Sequence, residues 1–312
     1  MAYTQAMVRL ADISGLGPIV APISGRIRRK VLVFVNAKGG VGKSSLAVNV
    51  AAGLAKVGKR VLLVEMDPQG NHAEDFGFVR TALRDDGMGQ VGAVIAGAGL
   101  TPTGEARPGL WVAPGGEALE DLVEELYVQR RASAEDSQSW LYMYAAAIAQ
   151  VEDDYDLVIL DVAPGSLVLQ LQAMVAGDML IVPSRSDESS RKGLRTVVRR
   201  FLYARPYNPS LALTGIVLFG VTPRGTRIAE GIREELVKDV GGAAPVFGTT
   251  IRYLERPAVE CRRRGLVAAE LAREEDIDAS MASSATQLAK DYRALVLEIL
   301  TKMATLQQPA VA

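Results

Sequence analysis

One cysteine, Cys261, and one histidine, His72, occur in 312 residues, and aromatic side chains make up only 5%. A lone thiol excludes an internal disulfide framework and any thiolate cluster made by one chain, and it fits a reducing cytosol. Cys261 reads as an incidental thiol. Long apolar runs are missing too: no stretch reaches the ~18 to 20 residues that a bilayer span needs, and the first thirty residues hold no such run. The expectation is a soluble, unexported, cytoplasmic chain. Neither sign of charge dominates, with 35 Lys plus Arg against 36 Asp plus Glu. The whole molecule is therefore not a polycation built to coat nucleic acid. What the chain does have is an apolar fraction of 49%, ample for a buried α/β core.

Residues 1–29 are rich in Gly, Pro and Ser and end in Arg26, Arg28 and Arg29, which reads as a flexible extension. From Val31 onward, short β-branched runs alternate with longer helical patterns, the signature of parallel strands joined by crossover helices. Strands are expected near 31–36, 61–66, 109–113, 156–161, 178–183, 213–219 and 247–251. Helices are expected over 43–57, 117–130, 138–151, 189–204 and 226–239. In 285–306, Leu288, Tyr292, Leu295, Ile299, Met303 and Leu306 share one helical face, which should pack on the sheet. Segment 79–108, Gly-rich and weakly periodic, reads as a mobile loop. The expected organisation is one α/β domain over 30–306, between the extension and a short tail at 307–312.

The run Val31-Leu32-Val33-Phe34-Val35 leads into Lys38-Gly39-Gly40-Val41-Gly42-Lys43-Ser44-Ser45, after which a helical pattern begins. Glycines at 39, 40 and 42 allow a sharp turn that aims backbone N–H groups inward, and the following helix adds its positive end, so the segment forms a cradle for phosphate oxygens. Lys43 would reach the β and γ phosphates of a nucleotide, and the Ser44 hydroxyl would ligate magnesium.

The loop carries a second lysine in the pattern K-G-G-x-G-K-[ST], and this resembles the deviant Walker A loop of the ParA/MinD family of ATPases. Two later segments resemble that family in the same order. Arg60 to Asn71 looks like its second strand with the D-P-Q-G-N signature, and Tyr155 to Asp161 like its Walker B strand. The resemblance implies a P-loop NTPase fold, a doubly wound and mostly parallel sheet with helices on both faces, with ATP and Mg2+ as ligands. It implies that Lys38 crosses the interface of an ATP-bound homodimer to the partner's phosphates, that Asp67 positions or activates the attacking water, and that Asp161 holds magnesium through a water. Val162-Ala163-Pro164-Gly165 stands where the family usually has D-x-P-P, with Ala163 replacing one proline. Adenine contacts are expected near Phe219–Pro223 and Ile251–Tyr253, through backbone atoms. His72, with no partner carboxylate at an informative spacing, reads as a surface residue.

Residues 189–265 hold fifteen Lys and Arg against six Asp and Glu, a balance of +9 that leaves −10 for the rest of the chain. Such asymmetry points to a polyanionic partner for one face, and nonspecific DNA binding needs clustered cations more than a base-reading motif. By resemblance the DNA-binding residues are Arg224, Arg227, Arg252 and Arg256, with Arg262–Arg264 as support. The function implied is that of a ParA-type partition ATPase on the nucleoid. ATP makes a dimer, the dimer binds DNA nonspecifically, and a ParB-like centromere-binding protein stimulates slow hydrolysis that releases it. A MinD-like membrane switch needs a basic amphipathic tail, and no cation follows Lys302. A reductase like the nitrogenase iron protein needs more cysteines than one per chain. A positioning ATPase for a protein cargo stays open, because fold and phosphate site do not fix the cargo.

Overall fold

The computed structural model describes residues 30–133, 138–222 and 245–307. The N-terminal extension, the expected helix at 226–239, Arg224, Arg227 and residues 308–312 lie outside them. Eight strands form one sheet in the order β3-β4-β2-β5-β1-β6-β7-β8. They are β1 (Val31–Phe34), β2 (Val61–Met66), β3 (Gly104–Arg107), β4 (Leu110–Ala113), β5 (Leu157–Val162), β6 (Met179–Ser184), β7 (Ala212–Val221) and β8 (Val246–Arg252). Every neighbouring pair is parallel except β3 with β4.

The central strands are near-continuous apolar runs because both their faces are covered, as parallel sheets require. In β1, Val31 and Val33 point to one side and Leu32 and Phe34 to the other, which is the period of two made visible. The first side is covered by α4 (Ala118–Ala132), α5 (Met143–Ala149), α6 (Leu167–Ala176) and α7 (Glu188–Ala204). The second is covered by α1 (Lys43–Lys56) and α10 (Ala279–Gln307), with the short helices α8 (Glu255–Arg264) and α9 (Ala268–Leu271) beside them. On α10, Leu288, Tyr292, Leu295, Ile299 and Met303 are buried, the face that the helical spacing predicts.

Segment 79–108 departs from the expected loop. It contains α3 (Met88–Ala96) and the edge strand β3, after the short turn of helix α2 (His72–Asp75). Gln90 and Val94 are the buried residues of α3, and Gln90 Nε2 donates to the carbonyls of Glu65, Ala113 and Pro114. A polar anchor at the ends of β2 and β4 holds this helix down together with Val94, which joins the core, and Val91 and Ile95, which pack against it. Helix α6 carries no helical periodicity in the sequence, since nine of its ten residues are buried and no polar face marks its turns.

Candidate functional site

The parallel register brings the carboxyl ends of β1, β2 and β5 together, the side of an open α/β sheet where ligands bind. Asp161 on β5 lies opposite Phe34 of β1 and Glu65 of β2. The segments that leave these strands carry the expected site residues, and Lys43, Asp67 and Asp161 are all buried there.

The phosphate loop is pinned from behind before it turns. Asn36 Nδ2 donates to Pro183 O at 2.7 Å, Asn36 Oδ1 accepts from Lys38 N at 2.9 Å, and Gln170 Nε2 donates to the carbonyls of Asn36 and Ala163. Gly40 and Gly42 take φ of +71° and +90°, a region open to glycine and costly for other residues. Gly42 is also crowded: a Cβ there would lie 2.5 Å from the Phe219 ring. Gly42 caps α1, so the free N–H groups of the first helical turn face the cleft.

Lys43 Nζ donates to Lys38 O at 3.3 Å. Burial holds the Lys43 pKa below its ordinary value, opposed by the carboxylates of Asp161 and Asp67. Burial raises Asp67, while its bond from Gln69 N at 3.0 Å opposes the rise. Ser44 is half-buried and Ser45 exposed, both lining a cleft of about 400 Å³. Gly42 and Lys43 line it too, as do Asn71, Arg262 and Tyr292. That volume suits a small ligand, whose sites span about 300–1,000 Å³.

His72 corrects the sequence reading. It is fully buried, with Nε2 2.9 Å from Asp161 Oδ2 and Nδ1 3.9 Å from Glu65 Oε2. Burial alone would lower its pKa, but the carboxylates of Glu65 and Asp161 outweigh burial and hold the imidazole up at about 9. Burial pushes Glu65 up to about 7, partly offset by His72 and the Gly115 N–H. Asp161 Oδ1 is buried with no hydrogen-bond partner. A buried carboxylate oxygen left unsatisfied is costly, so this atom fits a cation such as magnesium beside the phosphate loop. Among the described residues no group of three or more His, Cys, Asp or Glu is placed to hold a metal. A cation held here would take its remaining oxygens from Ser44, phosphate and water.

Lys38 Nζ sits 2.7 Å from Asp187 Oδ1, and Asp187 in turn caps α7 through Ser190 N and Oγ. Of the expected adenine neighbours, Phe219 packs on Gly42. Tyr253 is half-exposed beneath the Arg185 guanidinium, and its N–H is already bonded to Val221 O at 2.8 Å.

The basic residues expected to meet DNA are placed unevenly. Arg224 and Arg227 lie outside the described residues. Arg252 does not present a free charge: it forms a two-pronged pair with Asp291, bonds Gln287, and ties β8 to α10. Arg256 pairs with Asp278 at the surface, where both are more than half exposed. Arg262 bonds Glu74 and Asn71, Arg263 pairs with Glu260, and Arg264 with Glu260 and Asp276.

The chain is similar to known proteins in sequence and in fold. A family model described as an AAA domain matches residues 29–213. The chromosome partitioning protein ParA of Caulobacter vibrioides is 32% identical over 216 residues, 68% of this chain and 75% of that protein. The chromosome-partitioning ATPase Soj of Thermus thermophilus is 30% identical over 247 residues, 76% of this chain and 87% of its own length. Among solved structures, an ATP complex of McdA from Cyanothece superposes with a TM-score of 0.67 at 15% identity, over 87% of this chain and 96% of that one. The chain belongs to the ParA/MinD family of deviant Walker A P-loop ATPases.

Proposed function

We propose that this chain is a partition ATPase whose ATP-bound form is a dimer that holds DNA. The observation that carries the reading is the convergence of Lys38, Lys43, Asp67 and Asp161 on the segments at the carboxyl ends of three parallel strands, with Lys43 and Ser44 opening onto the cleft. Lys43 and the N–H groups of residues 39–45 hold the phosphates. Asp161, with Ser44, holds magnesium, which supplies charge neutralisation between phosphate oxygens. Asp67 positions the attacking water. Lys38 reaches the phosphates of a second subunit, so that nucleotide state controls pairing.

The similarity to ParA and Soj partition proteins supports a DNA partner. Phosphate contacts from Arg224, Arg227 and Arg256 would become continuous when two subunits pair. Arg256 stays in this set because an exposed ion pair is worth only about 0–1 kcal/mol and exchanges easily for a phosphate. Arg252 is left out because its charge is spent on Asp291. Release would follow hydrolysis stimulated by a ParB-like partner. No helix among the described residues is long and apolar enough to cross a membrane, and the cytoplasmic nucleoid is the proposed location. The deciding measurement is retention on random DNA with ATP, ADP and no nucleotide across a salt series. Retention should need ATP and fall steeply with salt. Equal retention in all three states, or indifference to salt, would end the DNA reading.

A further inference from the structure

The single histidine of this chain is enclosed on every side directly below the phosphate site. A polar ring removed from water is costly unless its atoms are engaged, so its placement asks for an account. His72 begins α2, immediately after the D-P-Q-G-N segment. Its backbone N–H donates to Glu65 Oε1 at 3.0 Å, and the other Glu65 oxygen accepts from Gly115 N at 3.0 Å. Glu65 therefore fixes the start of α2 from the centre of the sheet. The Phe76 ring meets the imidazole edge to face, with centroids 6.5 Å apart. Backbone bond and ring contact together set the direction in which Nε2 points, and that direction is Asp161 Oδ2, at 2.9 Å.

A carboxylate oxygen accepts, and in this contact the ring Nε2–H donates to Oδ2. That bond spends one of the two Asp161 oxygens and leaves Oδ1, buried and without a partner, as the free acceptor. The terminal torsion of an aspartate is broad and close to two-fold, so an unrestrained carboxylate would swing and present either oxygen. We propose that His72 is a positioning residue for Asp161, clamping Oδ2 so that Oδ1 is held in readiness for the magnesium that accompanies ATP. This rests on the reading of Asp161 as the magnesium carboxylate. The physical gain is preorganisation: outer partners that orient a metal's oxygen ligands are worth about 10–100-fold in metal affinity.

The experiment uses the full-length protein without a histidine tag, so that His72 remains the only imidazole. A fluorescent ATP analogue is titrated in EDTA and then in rising Mg2+, for the parent, His72→Ala and His72→Gln. Glutamine is chosen because its Nε2 stands close to the place of the imidazole Nε2 and donates in the same direction. The parent should bind tighter as Mg2+ is added, and His72→Ala should need about 10–100-fold more Mg2+ for the same gain while its binding in EDTA stays within about twofold. His72→Gln should recover most of the loss. If His72→Ala follows the parent's Mg2+ curve within about twofold, or if His72→Gln recovers nothing, the positioning role is wrong. If Mg2+ does not tighten ATP binding even in the parent, the assignment of Asp161 fails and the proposal with it. A second measurement needs no variant. In the 15N spectrum of the ATP-bound parent, the lone Nε2 resonance should be that of a protonated nitrogen and should shift when Mg2+ replaces EDTA. A ring signal that does not move overturns the proposal even if His72→Ala fails to fold.

Discussion

Lys38 Nζ lies 2.7 Å from Asp187 Oδ1, so the lysine proposed to reach a partner's phosphates is held by a carboxylate of its own subunit. Any crossing to a second subunit must first break this pair. Its side chains are 32% and 45% exposed, which limits its worth to about 0–1 kcal/mol. Asp187→Asn removes the charge but keeps a good cap for α7. Each dimer breaks the pair twice, so in sedimentation runs with ATP that variant should dimerise at a protein concentration lower by up to about thirtyfold, since about 1.4 kcal/mol is a factor of ten. Lys38→Ala should fail to dimerise with ATP. If Lys38→Ala pairs as well as the parent, the cross-subunit role is lost.

The same pair sets an acid limb of stability. The Lys38 ammonium, with Ser190 helping, holds the Asp187 carboxyl well below the usual carboxylate range. A depressed native pKa contributes stability that is complete above the unfolded value, near 3.8, and is lost as pH falls through the native value. The difference in Tm between the parent and Asp187→Asn should therefore stay constant from about pH 7 to 5 and narrow only below about pH 4. Narrowing already between pH 6 and 5 would mean that another group is titrating.

Gly42 combines a left-handed backbone with contact against Phe219, where a Cβ would stand 2.5 Å from the ring. Alanine there meets two separate costs, backbone strain of about 1–2 kcal/mol and displacement of the ring. Gly42→Ala should lower Tm and weaken ATP binding at least tenfold, since the helix terminus moves with the loop. Adding Phe219→Ala should recover some of the Tm loss by removing the obstacle but little of the binding. Recovery of both would show that the ring contact alone was responsible.

Two neighbouring arginines should separate fold from DNA contact. Arg252 is bonded to Asp291, a side chain only 11% exposed, so Arg252→Ala leaves a mostly buried carboxylate with the residue 252 N–H but without its cation and should cost about 1–3 kcal/mol in denaturant unfolding. Arg256 pairs with Asp278 at the surface, and Arg256→Ala should leave stability within about 0.5 kcal/mol. On DNA with ATP, Arg256→Ala should weaken retention and reduce the salt slope by about one. An unchanged slope would remove Arg256 from the DNA surface.

The parts of the site legible in the sequence are those whose signal is local. The phosphate loop is read from strand, glycines, lysine and helix in succession, and Asp161 from an apolar run closing on an acid. What escapes is pairing across distance. His72 reads as a surface residue because nothing near it shows that Asp161, eighty-nine positions later, meets its ring. One sign was available: Glu65 interrupts an otherwise apolar strand in which all six residues are buried, and a buried carboxylate demands partners. Arg252 misleads for the same reason, since Asp291 lies thirty-nine residues away. In segment 79–108 the anchor is Gln90, a polar side chain bonded to three carbonyls, and apolar periodicity carries no trace of it.

Asp67 gives the sharpest test of the catalytic assignment. It leaves the end of β2 beside Lys43 and Asp161, buried, with one oxygen accepting from Gln69 N. Burial raises its pKa, which makes the carboxylate a better proton acceptor toward a water than a fully solvated aspartate. Removing the group takes away positioning and proton acceptance while leaving the phosphate cradle and Lys38 in place. Asp67→Ala should bind ATP within about threefold of the parent, release phosphate about 10²–10⁴-fold more slowly, and hold the ATP dimer for correspondingly longer. Under the proposed function, phosphate release and dimer lifetime should change together, because hydrolysis would withdraw the γ phosphate from the partner's Lys38. Slow release with a short-lived dimer would separate the two steps and place the control of pairing elsewhere.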